Sequence, residues 1–178
     1  MTDNVTVTDY ENGRSLIKDG DIIFIRNKKH ITSRIIHFFT MSKYSHVGIA
    51  FWAKVGGISR LMMVEAQGGN KLRIVNISYY TNDQLDVVPA PKPWASVMGL
   101  ALQHVGLNRY GWLDALYVGL REFTFNLTGI RLPRLNFPGE ICSEFVARIY
   151  DTPDWNVSPQ RLFEQLSDSG YTPYIHIR

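Results

Sequence analysis

Three residues in this chain have types and settings that suit nucleophilic chemistry. Cys142 is the only cysteine. It lies in Glu140-Ile141-Cys142-Ser143-Glu144-Phe145-Val146, where an apolar helical pattern begins just after Pro138-Gly139. A thiol in the first turn of a helix feels the positive end of the macrodipole and unpaired backbone N–H groups, which favour the thiolate. A lone cysteine is otherwise most often a small buried hydrophobe, so its meaning depends on a base. His46, in Tyr44-Ser45-His46-Val47-Gly48-Ile49-Ala50-Phe51, supplies one. On a strand it shares a face with Gly48 and Ala50, which leave space beside the imidazole, while Val47, Ile49 and Phe51 face the other way. Glu65 ends the apolar run Leu61-Met62-Met63-Val64 just before Gly68-Gly69. A carboxylate there could orient the imidazole, fix its tautomer and stabilise the imidazolium. Together the three form an activated-nucleophile set.

Alternatives exist for two of these roles. His104, on a helical stretch, is the rival base, and Gln67 or Asp21 could replace Glu65 as the orienting group. Tyr44 could assist an oxyanion or shape the pocket. Glu144 reads as a residue on the helix flank that caps or meets solvent. The five histidines show no HExxH-like spacing, so neither a metal nor another cofactor is expected. There is no Gly-rich or Walker-type phosphate loop.

The succession Gly20-Asp21-Ile22-Ile23-Phe24, Tyr44-Ser45-His46-Val47-Gly48-Ile49, Val64-Glu65-Ala66 and Ile141-Cys142-Ser143-Glu144-Phe145-Val146 resembles the permuted NlpC-like papain-fold cysteine hydrolases of the YaeF/YiiX type. In that group the histidine strand precedes the cysteine helix, as it does here, and the likeness spans roughly residues 19–150. It implies a circularly permuted papain-like fold, an antiparallel sheet or small barrel packed against helices. It further implies Cys142 as nucleophile, His46 as general base and acid, Glu65 as the orienting group, and the Cys142 N–H as part of an oxyanion hole. Family members often carry an aromatic residue before the cysteine; Ile141 here would give the pocket a different wall. The implied substrate is a peptide, glycopeptide or other acyl compound, with bacterial cell-wall stems and isopeptide-type bonds leading. A lipid acyl hydrolase or acyltransferase, an effector acting on a host protein and an inactive binding module are the alternatives.

The elements that must position these residues can be read from periodicity. Ile22 to Ile25 is a short buried strand, and residues 32–40 form an amphipathic helix. Strands are expected at 45–53, 59–65, 71–77 and 85–89, with a turn at Gly56-Gly57. Helices follow at 94–105, 112–123, 142–150 and 159–167, the last begun by Ser158-Pro159, and 171–177 holds a terminal strand. Runs of strands flanked by helices make the class α+β. The aromatic stretch 107–135 either completes the core or forms a wall or lid. Residues 1–18 are expected as an N-terminal extension, and 19–178 as a single catalytic domain.

With 178 residues, 45% of them hydrophobic, the chain can bury one substantial core. Nineteen basic and sixteen acidic residues give a net charge of +3. The basic residues, among them Arg26, Lys28, Lys29, Arg131 and Arg134, are dispersed, with no aromatic-basic stripe of a nucleic-acid binder. Peripheral contact with a membrane is compatible with this charge. A single cysteine excludes an internal disulfide. The N-terminus lacks a basic and apolar leader and no apolar run approaches ~18 residues. The expectation is a soluble protein of cytoplasmic synthesis, released if at all by lysis or a virion. The sequons at Asn76, Asn126 and Asn156 are then coincidental.

Overall fold

A computed structural model describes residues 5–7, 9–26, 43–67, 72–107, 112–130, 132–133, 135 and 141–178. In chain order these form β1 (Val5–Val7), α1 (Tyr10–Gly13), β2 (Ile22–Arg26), β3 (His46–Val55), β4 (Ile58–Ala66), β5 (Leu72–Asn76) and β6 (Gln84–Val88). They continue with α2 (Trp94–Gln103), α3 (Trp112–Thr128), α4 (Cys142–Tyr150), α5 (Pro159–Asp168) and β7 (Ile175–Ile177). Among the described residues the strands make one seven-stranded sheet in the order β1-β7-β6-β2-β3-β4-β5. The class is α+β, as expected.

β2 sits in the middle, antiparallel to both β3 and β6, and its four consecutive apolar residues are all buried. That is the pattern of a strand covered on both faces. Ile22 and Phe24 point to one core with Val47 and Ile49, against Phe145, Val146 and Ile149 of α4 and Leu162 and Leu166 of α5. Ile23 and Ile25 point to a second core with Met63, Leu85 and Val87, closed by Tyr10, Ile17, Ile77 and Tyr80. Each such side chain contributes about 1.5–3 kcal/mol by leaving water. The β3–β4 hairpin turns at Gly56 and Gly57, with φ of 57° and 80°. Both lie in the left-handed region that a tight two-residue hairpin demands, which is why glycines stand there.

Several expectations change. Residues before Asp19 are not a detached extension: β1 pairs with β7, and Tyr10 and Ile17 are core residues. The β1–β7 pair is parallel, so the sheet is not wholly antiparallel, and its edge strands β1 and β5 are not paired with each other into a barrel. α3 runs five residues beyond the expected end, and the Thr124 and Thr128 hydroxyls donate to carbonyls four residues back. Gly129, at φ 72°, follows it. The terminal strand is confined to Ile175–Ile177. The expected helix at 32–40 lies outside the described residues.

Candidate active site

His46 opens β3 and Glu65 lies near the end of its neighbour β4. In the register Ile49 faces Val64, so Glu65 stands across from Gly48, diagonal to His46. With no side chain at Gly48, the carboxylate reaches the imidazole: His46 Nε2 lies 2.8 Å from Glu65 Oε2. The space beside the ring is nevertheless filled. A Cβ on Gly48 would come within 2.6 Å of Met63 Cγ and 2.9 Å of the Val64 carbonyl oxygen. The small face expected to leave room is a packed one.

Glu65 is wholly buried and accepts two further hydrogen bonds. Tyr80 Oη donates to Oε2 at 2.6 Å, and Arg73 Nε donates to Oε1 at 2.8 Å. Burial alone would push the carboxyl up; the facing His46, together with the donors Tyr80 and Arg73, outweighs it and brings the pKa from 4.5 to about 2. Burial likewise pushes the His46 imidazolium down. The Glu65 carboxylate, with neighbouring Cys142 and the hydrogen bond to Glu65, overrides this and raises it from 6.5 to about 10. The two shifts express largely one attraction seen from either side, with Cys142 adding to the His46 side. Desolvation and the same carboxylate push the Tyr80 hydroxyl up, so it stays a donor.

Cys142 is the first residue of α4, and it lies near enough to the His46 ring to help hold the imidazolium proton. The first intrahelical bond of α4 is Phe145 N–H to the Ile141 carbonyl. The N–H groups of Cys142, Ser143 and Glu144 thus have no acceptor within the helix. Ile141, at the N-cap, has no side-chain acceptor of its own. Glu144 takes over: Oε2 accepts the Ile141 N–H at 3.2 Å, and Oε1 accepts Asn156 Nδ2 at 2.6 Å. Arg121 of α3 donates to the Asn156 carbonyl at 2.5 Å and pairs with Asp154 Oδ2 at 3.3 Å. Ser143 Oγ donates to the Val157 carbonyl at 2.6 Å. The segment 154–157 therefore clamps the start of the cysteine helix from below.

Cys142, His46 and Glu65 are thus brought together. Tyr44 is buried elsewhere in function: its hydroxyl donates to Asp86 Oδ2 at 2.5 Å, which leaves no proton for an oxyanion. Ile141 is 4% exposed and forms a helix cap, presenting little wall. Glu144, read as a flank residue, is buried and caps α4 through its carboxylate. Asp21 belongs to a separate network, accepting from the backbone of Lys18 and Ala90 and from the Tyr174 hydroxyl. His104 is the C-cap of α2. Gln67 follows the end of β4, and Glu65 has the contact with His46. Sequence reasoning missed Arg73 and Tyr80. Arg73 had a signal, being the direct cross-strand partner of Glu65 in the β4–β5 hairpin; Tyr80, in a 3-10 turn after β5, had none. A surface recess of about 440 Å³ lined by Asp9, Tyr10, Glu11, Asn12 and Thr81 includes none of the three site residues.

No family model and no curated protein matches this chain. Among solved structures it is similar to the crystal structure of the metalloprotein YiiX from Escherichia coli O157:H7, at 17% identity and a TM-score of 0.42, over 66% of this chain and 69% of that one. That neighbour bears a name of the group which the sequence motifs resemble. The likeness is too slight to establish a permuted papain fold, and α+β is the class that stands. Among the described residues, no group of three or more His, Cys, Asp and Glu side chains is disposed to hold a metal ion. No described helix is long and apolar enough to cross a membrane.

Proposed function

We propose that the protein is a cysteine hydrolase of permuted papain-like type that cleaves an amide or peptide bond through Cys142, His46 and Glu65. The observation that carries this reading is the grouping itself: a thiol at a helix N-terminus close to an imidazole that a buried carboxylate holds at Nε2. With the His46 pKa raised to about 10, the ring carries its proton near neutral pH, close to the sulfur. The sulfur electron pair forms the bond to the acyl carbon, and the carbonyl oxygen takes up negative charge near the Cys142 N–H. As the C–N bond breaks, His46 gives its proton to the departing amine. Water then loses a proton to His46 and attacks the thioester, releasing the acid and restoring the resting pair. Glu65 keeps the ring in place and stabilises its charge throughout.

Cell-wall peptide stems and other N-acyl or isopeptide bonds are the substrate classes of this reading, and they rest on the family resemblance alone. A second reading, a lipid acyl hydrolase or acyltransferase using the same residues, is favoured by the leucines exposed along α3. The test needs no substrate. Alkylation of Cys142 by iodoacetamide is followed against pH in the parent and in His46→Ala. A rate that stays high below about pH 7 in the parent, and follows an ordinary thiol of pKa about 8.5 in the variant, supports the activated pair. An ordinary thiol in both refutes it and favours a binding module. Once a substrate is found among peptidyl and acyl libraries, Cys142→Ala should abolish turnover.

A further inference from the structure

Of the side chains that share the Glu65 carboxylate, Arg73 is the one that reaches solvent: its side chain is 34% exposed, while Glu65 is fully enclosed. It stands on β5, the edge strand of the sheet, directly across from Glu65, so both side chains rise from the same face. Two tyrosines hold the contact in place. The turn after β5 is capped by Asn76 Oδ1, which accepts the Ser78 N–H at 2.9 Å. Tyr79 in that turn sets its ring 5.8 Å from the Arg73 guanidinium, and Tyr80 donates to Glu65 Oε2. The two rings meet edge to face, with centroids 5.1 Å apart. Arg73 therefore sits on Oε1, while His46 and Tyr80 sit on Oε2.

A count of charges along this row gives the arginine a task. Glu65 and Arg73 already balance each other, so a proton on His46 is surplus positive charge in a buried place unless an anion stands beside the ring. Among the described residues, the titratable groups around the ring are Glu65 of β4, Cys142 of α4 and Tyr80, whose hydroxyl stays protonated. β2 sets only the apolar Ile25 across from His46. On the proposed mechanism the anion is the Cys142 sulfur, and the resting row alternates in sign: sulfur, imidazolium, carboxylate, guanidinium. In the thioester the sulfur has lost its charge. The ring then faces a carboxylate already matched by Arg73, and its neutral form gains, which is the form that takes a proton from water. Without Arg73 the carboxylate is left to His46 alone, and the ion pair persists through the step that needs a free base.

We propose that Arg73 acts through Glu65 as a positioning residue: by engaging Oε1 it frees the His46 ring to serve as a base once the sulfur is acylated. Its role in turnover rests on the cysteine-hydrolase reading; its hold on the His46 proton does not. The first test is NMR titration of histidine labelled at Cε1 in Cys142→Ala, where the sulfur charge is absent as it is in the thioester. Adding Arg73→Gln to that variant should raise the His46 titration by roughly one pH unit, solvent screening part of the guanidinium charge. An arginine that merely anchors the carboxylate would leave the titration in place or lower it when removed. Arg73→Lys, which keeps the charge, should titrate close to Cys142→Ala. Circular dichroism establishes folding, and Arg73→Thr, a residue at home on a strand, replaces the glutamine variant if that fails to fold. An unchanged or lowered titration in the folded glutamine or threonine variant overturns the proposal, as does a lysine variant that shifts as far as the glutamine one. With Cys142 present, p-nitrophenyl acetate tests turnover. The parent should release a burst of nitrophenolate as the acetyl group passes to sulfur, then a steady rate as water cleaves the thioester. Arg73→Gln should keep the burst and slow the steady rate about three- to tenfold, because a rise of one pH unit makes the neutral ring up to about tenfold scarcer. No burst in the parent refutes the cysteine-hydrolase reading, and with it the role in turnover, whatever the titration shows. A burst followed by an unchanged steady rate in Arg73→Gln overturns the role of Arg73 alone.

Discussion

Replacing Glu65 by glutamine removes one charge and almost no volume from the centre of the relay, and its effect can be worked out from the geometry. The carboxyl pKa falls from 4.5 to about 2 in the folded chain, which at about 1.36 kcal/mol per pH unit corresponds to about 3 kcal/mol favouring the ionised form. Three donors converge on it, from His46, Arg73 and Tyr80. An amide offers a single acceptor oxygen and turns N–H groups toward the rest, so at least one buried donor loses its partner, at about 1–3 kcal/mol. For a chain of this length, Glu65→Gln should therefore melt roughly 3–10 °C lower. The imidazolium should lose most of the support that raises it to about 10, and titrate roughly two pH units lower. NMR titration of histidine labelled at Cε1, with His46→Ala to assign the resonance, measures this directly. The pH dependence of stability follows with defined signs. The depressed Glu65 contributes stability that is fully present above about pH 4.5 and lost as pH falls through about 2; the raised His46 contributes stability fully present below about pH 6.5 and lost as pH rises through about 10. The variant should lose the acid limb and most of the alkaline one. A His46 that still titrates near 10 in the folded variant would refute the electrostatic reading of the relay.

Two further substitutions probe how the relay is held. Gly48→Ala places a methyl within 2.6 Å of Met63 Cγ and should destabilise by about 1–3 kcal/mol through overpacking; chemical denaturation measures this, and Gly48→Ala/Met63→Ala should recover part of the Gly48→Ala loss if that contact is the cause. Asn156→Ala removes the donor to buried Glu144 Oε1 and should cost about 1–3 kcal/mol. It should also slow Cys142 alkylation without moving the His46 titration, since it loosens the helix start and leaves Glu65 in place.

The strands were legible wherever apolar residues alternated or ran together between turn residues. β3, β4 and β6 lie within two residues of their expected ends. α4 begins and ends where the apolar pattern following Cys142 does. Non-local partnerships were less legible. Nothing in the local pattern of residues 1–18 signals that Val5 pairs with Ile175 or that Tyr10 and Ile17 fill a core, because their burial depends on strands far along the chain. Glu144 looked like a flank residue because a buried carboxylate needs partners, and Asn156 and the Ile141 N–H are visible only once the 154–157 segment is folded back. Tyr44 stands two residues from His46, yet its hydroxyl turns to Asp86 on β6. Proximity in sequence to His46 did not translate into a shared site.

The order of the strands also governs when the thiol can become reactive. His46 and Glu65 lie on a hairpin that is made before Cys142, which follows Glu65 by 77 residues, and domains fold as units once enough chain is available. Until α4 docks on β3, the imidazole has its carboxylate and no sulfur beside it. The rung that joins Val5 to Ile175 must wait longer still, until the chain beyond α4 has been made. On the proposed mechanism, a ribosome-bound chain stalled before α4 holds a base without a nucleophile and cannot act on its neighbours.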